Sequence, residues 1–362
     1  MIRLEQISKT YPGSDQPAVS HLNLVINESE FCTFVGPSGC GKTTILRMIN
    51  QLDLPDSGQV FVDGVLLAGA DIIRVRRQIG FVMQSAALFP HRTVSQNIAT
   101  VPRLCGWDKK RIARRIDQLA DLMSLDRHLL KRYPHELSGG QQGRVAIARA
   151  LAADPPVLLM DEPFAAIDPI VRDKLQGELL QIQQQLKKTI VLVTHDINEA
   201  LRLGDKIAIF RQGGELVQFA PPDDILAHPA NDFVRRFIGP DVNLRRLERL
   251  RVGDIPRYDV RLIGVQGGRL ASAFPRIDSD IALILDDDHR PVRWQSPALP
   301  ESGLAPHTIG PADSLRYACN QLLAATAGLL VRTDNNGRYC GVLSLALLNQ
   351  VLHPRVEPEI YD

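Results

Sequence analysis

No stretch of this sequence stays apolar for the roughly 18–20 residues that a membrane-spanning helix needs. The opening residues, MIRLEQISKTYPG, lack the basic-then-apolar pattern of a secretory leader. Cysteine is scarce: Cys32, Cys40, Cys105, Cys319 and Cys340 are odd in number and widely spaced. They suggest neither a disulfide framework nor a CxxC metal site. An excess of charge of one sign is missing too, with 42 Lys+Arg against 41 Asp+Glu. That balance argues against bulk binding to nucleic acid. Lysine disappears after Lys206. The expectation is a reduced, cytosolic chain with no membrane span of its own. What is present is ordinary for a folded protein: 44% hydrophobic and 23% charged residues. A length of 362 residues allows two or three domains.

The first 240 residues alternate β-rich runs with helical patterns, which predicts an α/β fold. Strands are expected at 1–8, 19–26, 31–35, 60–62 and 79–83. Helices are expected at 42–52, 107–123, 138–153 and 168–186. Two apolar runs, 157–160 and 189–194, read as buried parallel strands covered by helices on both faces.

Three motifs carry chemistry. Gly36-Pro37-Ser38-Gly39-Cys40-Gly41-Lys42-Thr43 fits GxxxxGK[ST] between a predicted strand and a predicted helix. Glycines let the backbone curl around a phosphate, and N–H groups at a helix N-terminus supply positive potential. Lys42 would neutralise phosphate charge, and the Thr43 hydroxyl would hold Mg²⁺. Second, Val157-Leu158-Leu159-Met160 runs into Asp161 and Glu162, so two carboxylates stand at the C-terminal end of a strand. Ligands of open α/β sheets bind at that edge. Third, Leu137-Ser138-Gly139-Gly140-Gln141 opens a helix that carries Arg144 and Arg149. Its free N–H groups make a second anion site. Two phosphate-binding devices in one chain are odd unless they meet across a dimer.

These residues together resemble the nucleotide-binding subunit of ABC transporters, over residues 1 to about 240. Walker A is residues 36–43. Gln84 fits the Q-loop, residues 137–141 the signature, and residues 157–161 Walker B, followed by Glu162 as catalytic carboxylate. Residues 165–168 fit the D-loop, ending in Asp168, and His195 fits the switch histidine. Tyr11 stands where the family stacks an aromatic ring on adenine. The resemblance implies a P-loop NTPase fold with a RecA-like core, a helical subdomain and a β subdomain. It also implies a sandwich homodimer. ATP would lie on Tyr11, Gly36, Pro37, Ser38, Gly39, Cys40, Gly41, Lys42, Thr43 and Thr44 of one chain. Ser138, Gly139, Gly140 and Gln141 of the other would complete the site. Glu162 would polarise water, His195 would contact the γ-phosphate, and Thr43, Gln84 and Asp161 would hold Mg²⁺.

Two departures stand out. Gly143 replaces a longer polar residue one turn inside the signature helix, at a cost of roughly 1 kcal/mol relative to alanine. The D-loop reads Ala165-Ala166-Ile167-Asp168. Cys40, at a helix N-terminus, raises the expectation of inhibition by maleimides.

Ala87-Leu88-Phe89-Pro90-His91 and the segment 97–107 resemble importer ATPases of the osmoprotectant branch (glycine betaine, choline, carnitine). There the ATPase would work with separate permease subunits and an extracytoplasmic solute-binding protein, as a peripheral protein on the cytoplasmic face of the inner membrane. The face around 89–101 would receive the permease. The alternatives are an importer ATPase for an amino acid or polyamine, and a soluble ABC ATPase acting on nucleic acid. The single cassette disfavours the latter.

After residue 240 the character changes. Residues 241–252 are Arg-rich and read as a linker or connecting helix. Within 253–362, IALILDDDHRPVRW (281–294) resembles GLLVRTDNNGRYCGV (328–342), with Asp286 and Asp334 48 residues apart. Only the second copy has a clear leading helix pattern, at 312–324. The tail is similar to the α+β CBS pairs that end members of this branch, with the first copy degenerate. Such a pair could bind an adenosine nucleotide, sense ionic strength or only dimerise. The run Asp286-Asp287-Asp288 reads as a turn rather than a metal site, and Lys109, Lys110, Arg111, Arg114 and Arg115 as a solvated helix face.

Overall fold

A computed structural model describes residues 1–258 except 166, then 261–266, 269–271, 282–295, 304–325 and 328–352. The chain divides into two units, Met1–Ile238 and Gly239–Asp362.

The first unit opens with strands β1 (Ile2–Lys9), β2 (Val19–Ile26) and β3 (Phe31–Val35), then helix α1 (Lys42–Ile49). Strands β4 (Ser57–Val62) and β5 (Val65–Leu66), helix α2 (Ile72–Arg77) and strand β6 (Ile79–Val82) follow. A helical segment comes next: α3 (Val94–Ile98), α4 (Thr100–Leu104), α5 (Lys109–Leu122) and α6 (Gly139–Leu151). The chain returns to the sheet in β7 (Val157–Asp161), α7 (Pro169–Leu186), β8 (Thr189–Val193) and α8 (Ile197–Leu203). It closes with β9 (Lys206–Arg211), β10 (Glu215–Ala220), α9 (Pro222–Ala227) and α10 (Asp232–Ile238).

Six strands form the central sheet in the order β6-β7-β8-β3-β9-β10. All neighbouring pairs are parallel except β9 with β10. The pleat sorts consecutive side chains to opposite faces. Leu158 and Met160 of β7, with Ile190 and Leu192 of β8, pack into one core together with α6 and α7. Val157 and Leu159, with Val191 and Val193, pack into the other, against α1 and the antiparallel sheet β2-β1-β4-β5. Burial on both faces is why β7 and β8 read as unbroken apolar runs. The α/β expectation holds for this unit. Gly177 lies inside α7, with no atom within 4 Å of where a Cβ would stand. Gly177→Ala should therefore stabilise the chain by about 1 kcal/mol, seen as a higher denaturation midpoint. A lower midpoint would contradict this placement.

The second unit begins with α11 (Val242–Arg249). The Arg-rich stretch read as a linker or connecting helix is thus largely helical, and its Leu247 is buried with Val252, Leu315, Leu330 and Leu343. Strands β11 (Arg261–Gln266), β12 (Arg269–Ala271), β13 (Ala282–Leu285) and β14 (Pro291–Gln295) form one sheet. Strand β15 (Thr308–Ile309), helix α12 (Leu315–Ala324), strands β16 (Leu329–Thr333) and β17 (Tyr339–Ser344), and helix α13 (Leu345–Leu352) follow.

The internal repeat is visible in hydrogen bonds. Asp286 Oδ1 accepts from the amides of Asp288 and Arg290, at 3.0 and 2.7 Å. Asp334 Oδ1 accepts from those of Asn336 and Arg338, both at 2.8 Å. His289 and Gly337, each three residues on, both take positive φ. The same Asx turn therefore closes both hairpins, and the Asp286-Asp287-Asp288 run belongs to it. Each hairpin also receives a parallel strand, β11 on β13 and β15 on β16. The hairpins share a core of Leu283, Leu285, Trp294, Val331 and Val342. Residues 272–281, where a leading helix of the first copy would be sought, lie outside the described residues.

Candidate active site

The loop between β3 and α1 is a cradle built on glycine. Gly36, Gly39 and Gly41 have φ of 154°, 76° and 105°. A Cβ on Gly36 would stand 2.3 Å from the Phe210 carbonyl oxygen, and one on Gly41 2.2 Å from that of Ala18. No larger residue fits at either position. Lys42 is buried inside the loop, and its Nζ donates to the carbonyls of Gly36 and Pro37 at 2.8 and 2.9 Å. Pro37, Ser38 and Gly39 are exposed at the rim. A buried ammonium held by loop carbonyls, in a glycine loop that leads into a helix N-terminus, suits a polyanion. Cys40 is fully buried, 3.6 Å from Lys42 Nζ. The thiol sensitivity expected from its position would thus require the loop to open.

Strand β7 delivers two carboxylates beside this cradle. Thr43 Oγ1 donates to Asp161 Oδ1 at 3.0 Å. Burial pushes the Asp161 carboxyl above its usual range, opposed by the Thr43 bond. Hydroxyl and carboxylate oxygens side by side are the donor chemistry of a hard divalent cation. Glu162 is left-handed, with φ of 44°, while its amide still bonds the Val193 carbonyl of β8. A non-glycine residue held there is strained, as residues at functional sites often are. Glu162 Oε2 accepts from Gln84 Nε2 at 3.2 Å and lies 3.3 Å from His195 Nδ1. Three residues far apart in sequence therefore meet on one carboxylate oxygen, in reach of the loop through Asp161.

Tyr11 is partly exposed. Its hydroxyl donates to Asp53 Oδ2 at 2.6 Å and lies 3.4 Å from Thr44 Oγ1. Arg47 holds Asp53 with two hydrogen bonds, of 2.8 and 3.1 Å. This bidentate pairing is the main cause of Asp53's lowered pKa, while burial and Asp53 raise that of Tyr11. The sequence reading missed Arg47 and Asp53, because they straddle a helix end with no motif spacing.

Ser138 caps α6 reciprocally: its Oγ accepts from the Gln141 amide, and Gln141 Oε1 accepts from the Ser138 amide. Gly139 and Gly140 form the first turn. A Cβ on Gly140 would fall 2.5 Å from Val171 of α7, and one on Gly143 3.2 Å from Ile167. Those glycines let Ile167 and α7 come close to α6. Asp168 caps α7 by accepting from the Ile170 amide at 3.0 Å. Ala166 lies outside the described residues. Among the described residues, no hydrogen bond or ion pair links 138–141 to the loop at 36–44.

Arg149, further along α6, donates to the carbonyls of Ala86 and Ala87 at 3.0 and 2.7 Å, just beyond Gln84. Asn97, fully buried in α3, ties down Phe89, Arg92 and Thr93. The surface around 89–101 is thus braced internally by Asn97 and packs in one core with α6 through Val94 and Ile98. Arg115, expected on a solvated face, instead donates to the carbonyls of Leu151 and Ala152 at the end of that helix.

A glycine cradle on a helix, an Asp–Glu pair at a strand end and a convergent Gln and His define a P-loop nucleoside triphosphatase. Residues 19–165 match the ABC transporter family. The chain is 44% identical over 360 residues to the osmoprotectant import ATP-binding protein OsmV of Salmonella typhimurium, covering 95% of this chain and 94% of that one. It is 51% identical over 241 residues to the glycine betaine/carnitine/choline transport ATP-binding protein OpuCA of Bacillus subtilis, covering 67% of this chain and 63% of that one. A solved dimeric ATP-binding cassette, in a post-hydrolysis state with ADP and Pi, superposes with a TM-score of 0.57 at 35% identity. It covers 61% of this chain and 99% of that one. The chain belongs to the ABC transporter family, as an ATPase subunit.

Proposed function

We propose that this chain hydrolyses ATP to power import of quaternary-amine osmoprotectants through a separate permease. The observation that carries the ATPase mechanism is the meeting of Gln84 and His195 on Glu162 beside the Lys42 loop. The solute class is supported by similarity to an osmoprotectant import protein that runs through both units, tail included.

ATP would lie with its phosphates on the glycine cradle and Lys42, and with adenine against Tyr11, whose hydroxyl Asp53 holds. Thr43, Asp161 and Gln84 would hold Mg²⁺, which when bound neutralises phosphate charge. The capped N-terminus at Ser138, Gly139 and Gly140 of a second copy would complete the site, with Gln141 and Asp168 fixing the two helix starts. Glu162 would accept a proton from water as the water oxygen attacks the γ-phosphorus and the bond to the β,γ-bridging oxygen breaks to release ADP, with His195 steadying the carboxylate and the phosphate. Phosphoryl transfer is largely positioning plus electrostatics, so rigid placement of these groups is the catalytic device. The braced surface around 89–101 would meet a permease on the cytoplasmic face of the membrane. Among the described residues, no helix is long and apolar enough to cross one. The paired hairpins of the second unit would act as a CBS-like regulatory module.

The test is uptake. Cells that depend on this chain, its permease and its solute-binding partner should accumulate labelled glycine betaine, choline or carnitine at high osmolarity, and Glu162→Gln should abolish it. Uptake of a polyamine or amino acid, with none of these three, would move the chain to another importer class.

A further inference from the structure

Behind His195 lies a buried polar group that the mechanism above does not use. Glu199, at 7% exposure in α8, accepts from the Thr194 hydroxyl at 2.5 Å and from Gln176 Nε2 at 3.2 Å. Thr194 and Gln176 are each 2% exposed. The Thr194 Oγ1 also accepts from the Asp196 amide at 3.0 Å, so it pins the backbone on both sides of His195. On its other side, Glu199 faces Arg172 of α7, with Nε 3.9 Å from Oε1. That Nε is buried and makes no hydrogen bond. The Arg172 Nη2 donates to the Ile167 carbonyl at 3.1 Å, within the D-loop. Glu162, Arg172, Thr194, His195 and Glu199 line one small, mostly polar cavity.

A buried carboxylate is costly to hold unless it is matched, and here its ionic partner, the part-exposed Arg172, is loosely placed, with a buried Nε that makes no hydrogen bond. Arg202 ties Gln176 to Asp173, at 3.0 and 2.9 Å, which fixes the far side of the network. The adjustable contact is therefore between Arg172 and Glu199. One end is fastened to the D-loop backbone and the other to the backbone of the switch histidine.

We propose that the Arg172–Glu199–Thr194 relay is a positioning device that sets His195 on Glu162 according to the position of the D-loop. It rests on the reading of Glu162 and His195 as the hydrolytic pair. A second copy that displaces the D-loop on dimerisation would close or open the 3.9 Å gap. His195 would then be aligned only when the composite site is complete. These are positioning residues, since no contact of theirs reaches Gly36, Lys42 or Thr43.

The experiment measures kcat, KM and ATP dissociation constant for the full chain and for Glu199→Gln, Arg172→Met, Thr194→Val and Thr194→Ser, with melting temperature alongside. A displaced catalytic group of this kind costs up to about 100-fold in rate. The expected result is a 10- to 100-fold loss of kcat in the first three. ATP affinity should stay within about threefold, a small change in binding free energy. Thr194→Ser, which keeps the hydroxyl, should recover most of the rate. The Glu199→Gln/Arg172→Met double variant should be no worse than the poorer single variant, because both cut one relay. Loss of rate in proportion to melting temperature, or additive losses in the double variant, would overturn the relay and leave a structural network. Unchanged kcat in Glu199→Gln and Thr194→Val would also overturn it, provided Glu162→Gln is inactive. Full activity in Glu162→Gln would instead overturn the assignment of the hydrolytic pair on which the relay rests.

Discussion

Glu162→Gln should bind ATP about as well as the parent chain, accumulate as an ATP-filled dimer and lose two to four orders of magnitude in turnover. That range is what a positioned general base contributes. Glutamine preserves the shape of the side chain and can still contact Gln84 and His195. It also leaves the left-handed backbone and its bond to Val193 in place. What it removes is the one carboxylate oxygen on which both partners converge. Turnover by phosphate release, nucleotide retention after gel filtration and mass by light scattering together check this. Turnover near that of the parent would remove Glu162 from the chemistry, and loss of ATP binding would mean that it holds substrate instead.

Lys42→Ala should weaken nucleotide binding at its source. The ammonium is buried in the loop and held by the Gly36 and Pro37 carbonyls. Alanine leaves the glycine loop without its buried cation. A charge-assisted bond contributes about 1.5–3 kcal/mol, so affinity for ATP should fall roughly 10- to 100-fold. Turnover should fall further, since charge developing on the transferred phosphoryl group loses its nearest donor. The fold should survive, because the packing of α1 rests on Ile45, Leu46, Met48 and Ile49. Titration with a fluorescent nucleotide and phosphate release measure the two effects separately. ATP affinity unchanged in the variant would place the phosphates elsewhere.

Much of this site was legible because its chemistry is local in sequence. The loop at 36–43, the strand-end pair Asp161–Glu162 and the Ser138 cap each lie within one short segment. The apolar runs of β7 and β8 were legible because both faces are buried. The strands β9 and β10 went unread, along with the short helices α3 and α4. Five residues, as in Val94–Ile98, are too few to show a helical period. Long-range partners were not readable at all. Asp53 matters to Tyr11 across 42 positions, and Glu199 joins Arg172 only after the chain has crossed β8. The burial of Cys40 depends on packing around the loop, which its place at a helix N-terminus does not reveal. In the second unit, the repeat survived in sequence because an aspartate is required at each hairpin turn. The packing of α11 into that unit left only Leu247 as a trace, amid arginines.

The central claim is that the loop at Lys42 in one copy and the helix start at Ser138 in another form one hydrolytic site. Mixing tests it most directly. Lys42→Ala and Ser138→Arg should each be inactive alone. A mixed dimer keeps one intact site, formed by the loop of the Ser138→Arg chain and the signature of the Lys42→Ala chain. Phosphate release from the mixture should therefore rise above the sum of the two separate variants and peak near equal amounts. A mixture that stays at that sum at every ratio, while forming mixed dimers, would contradict the two-chain site.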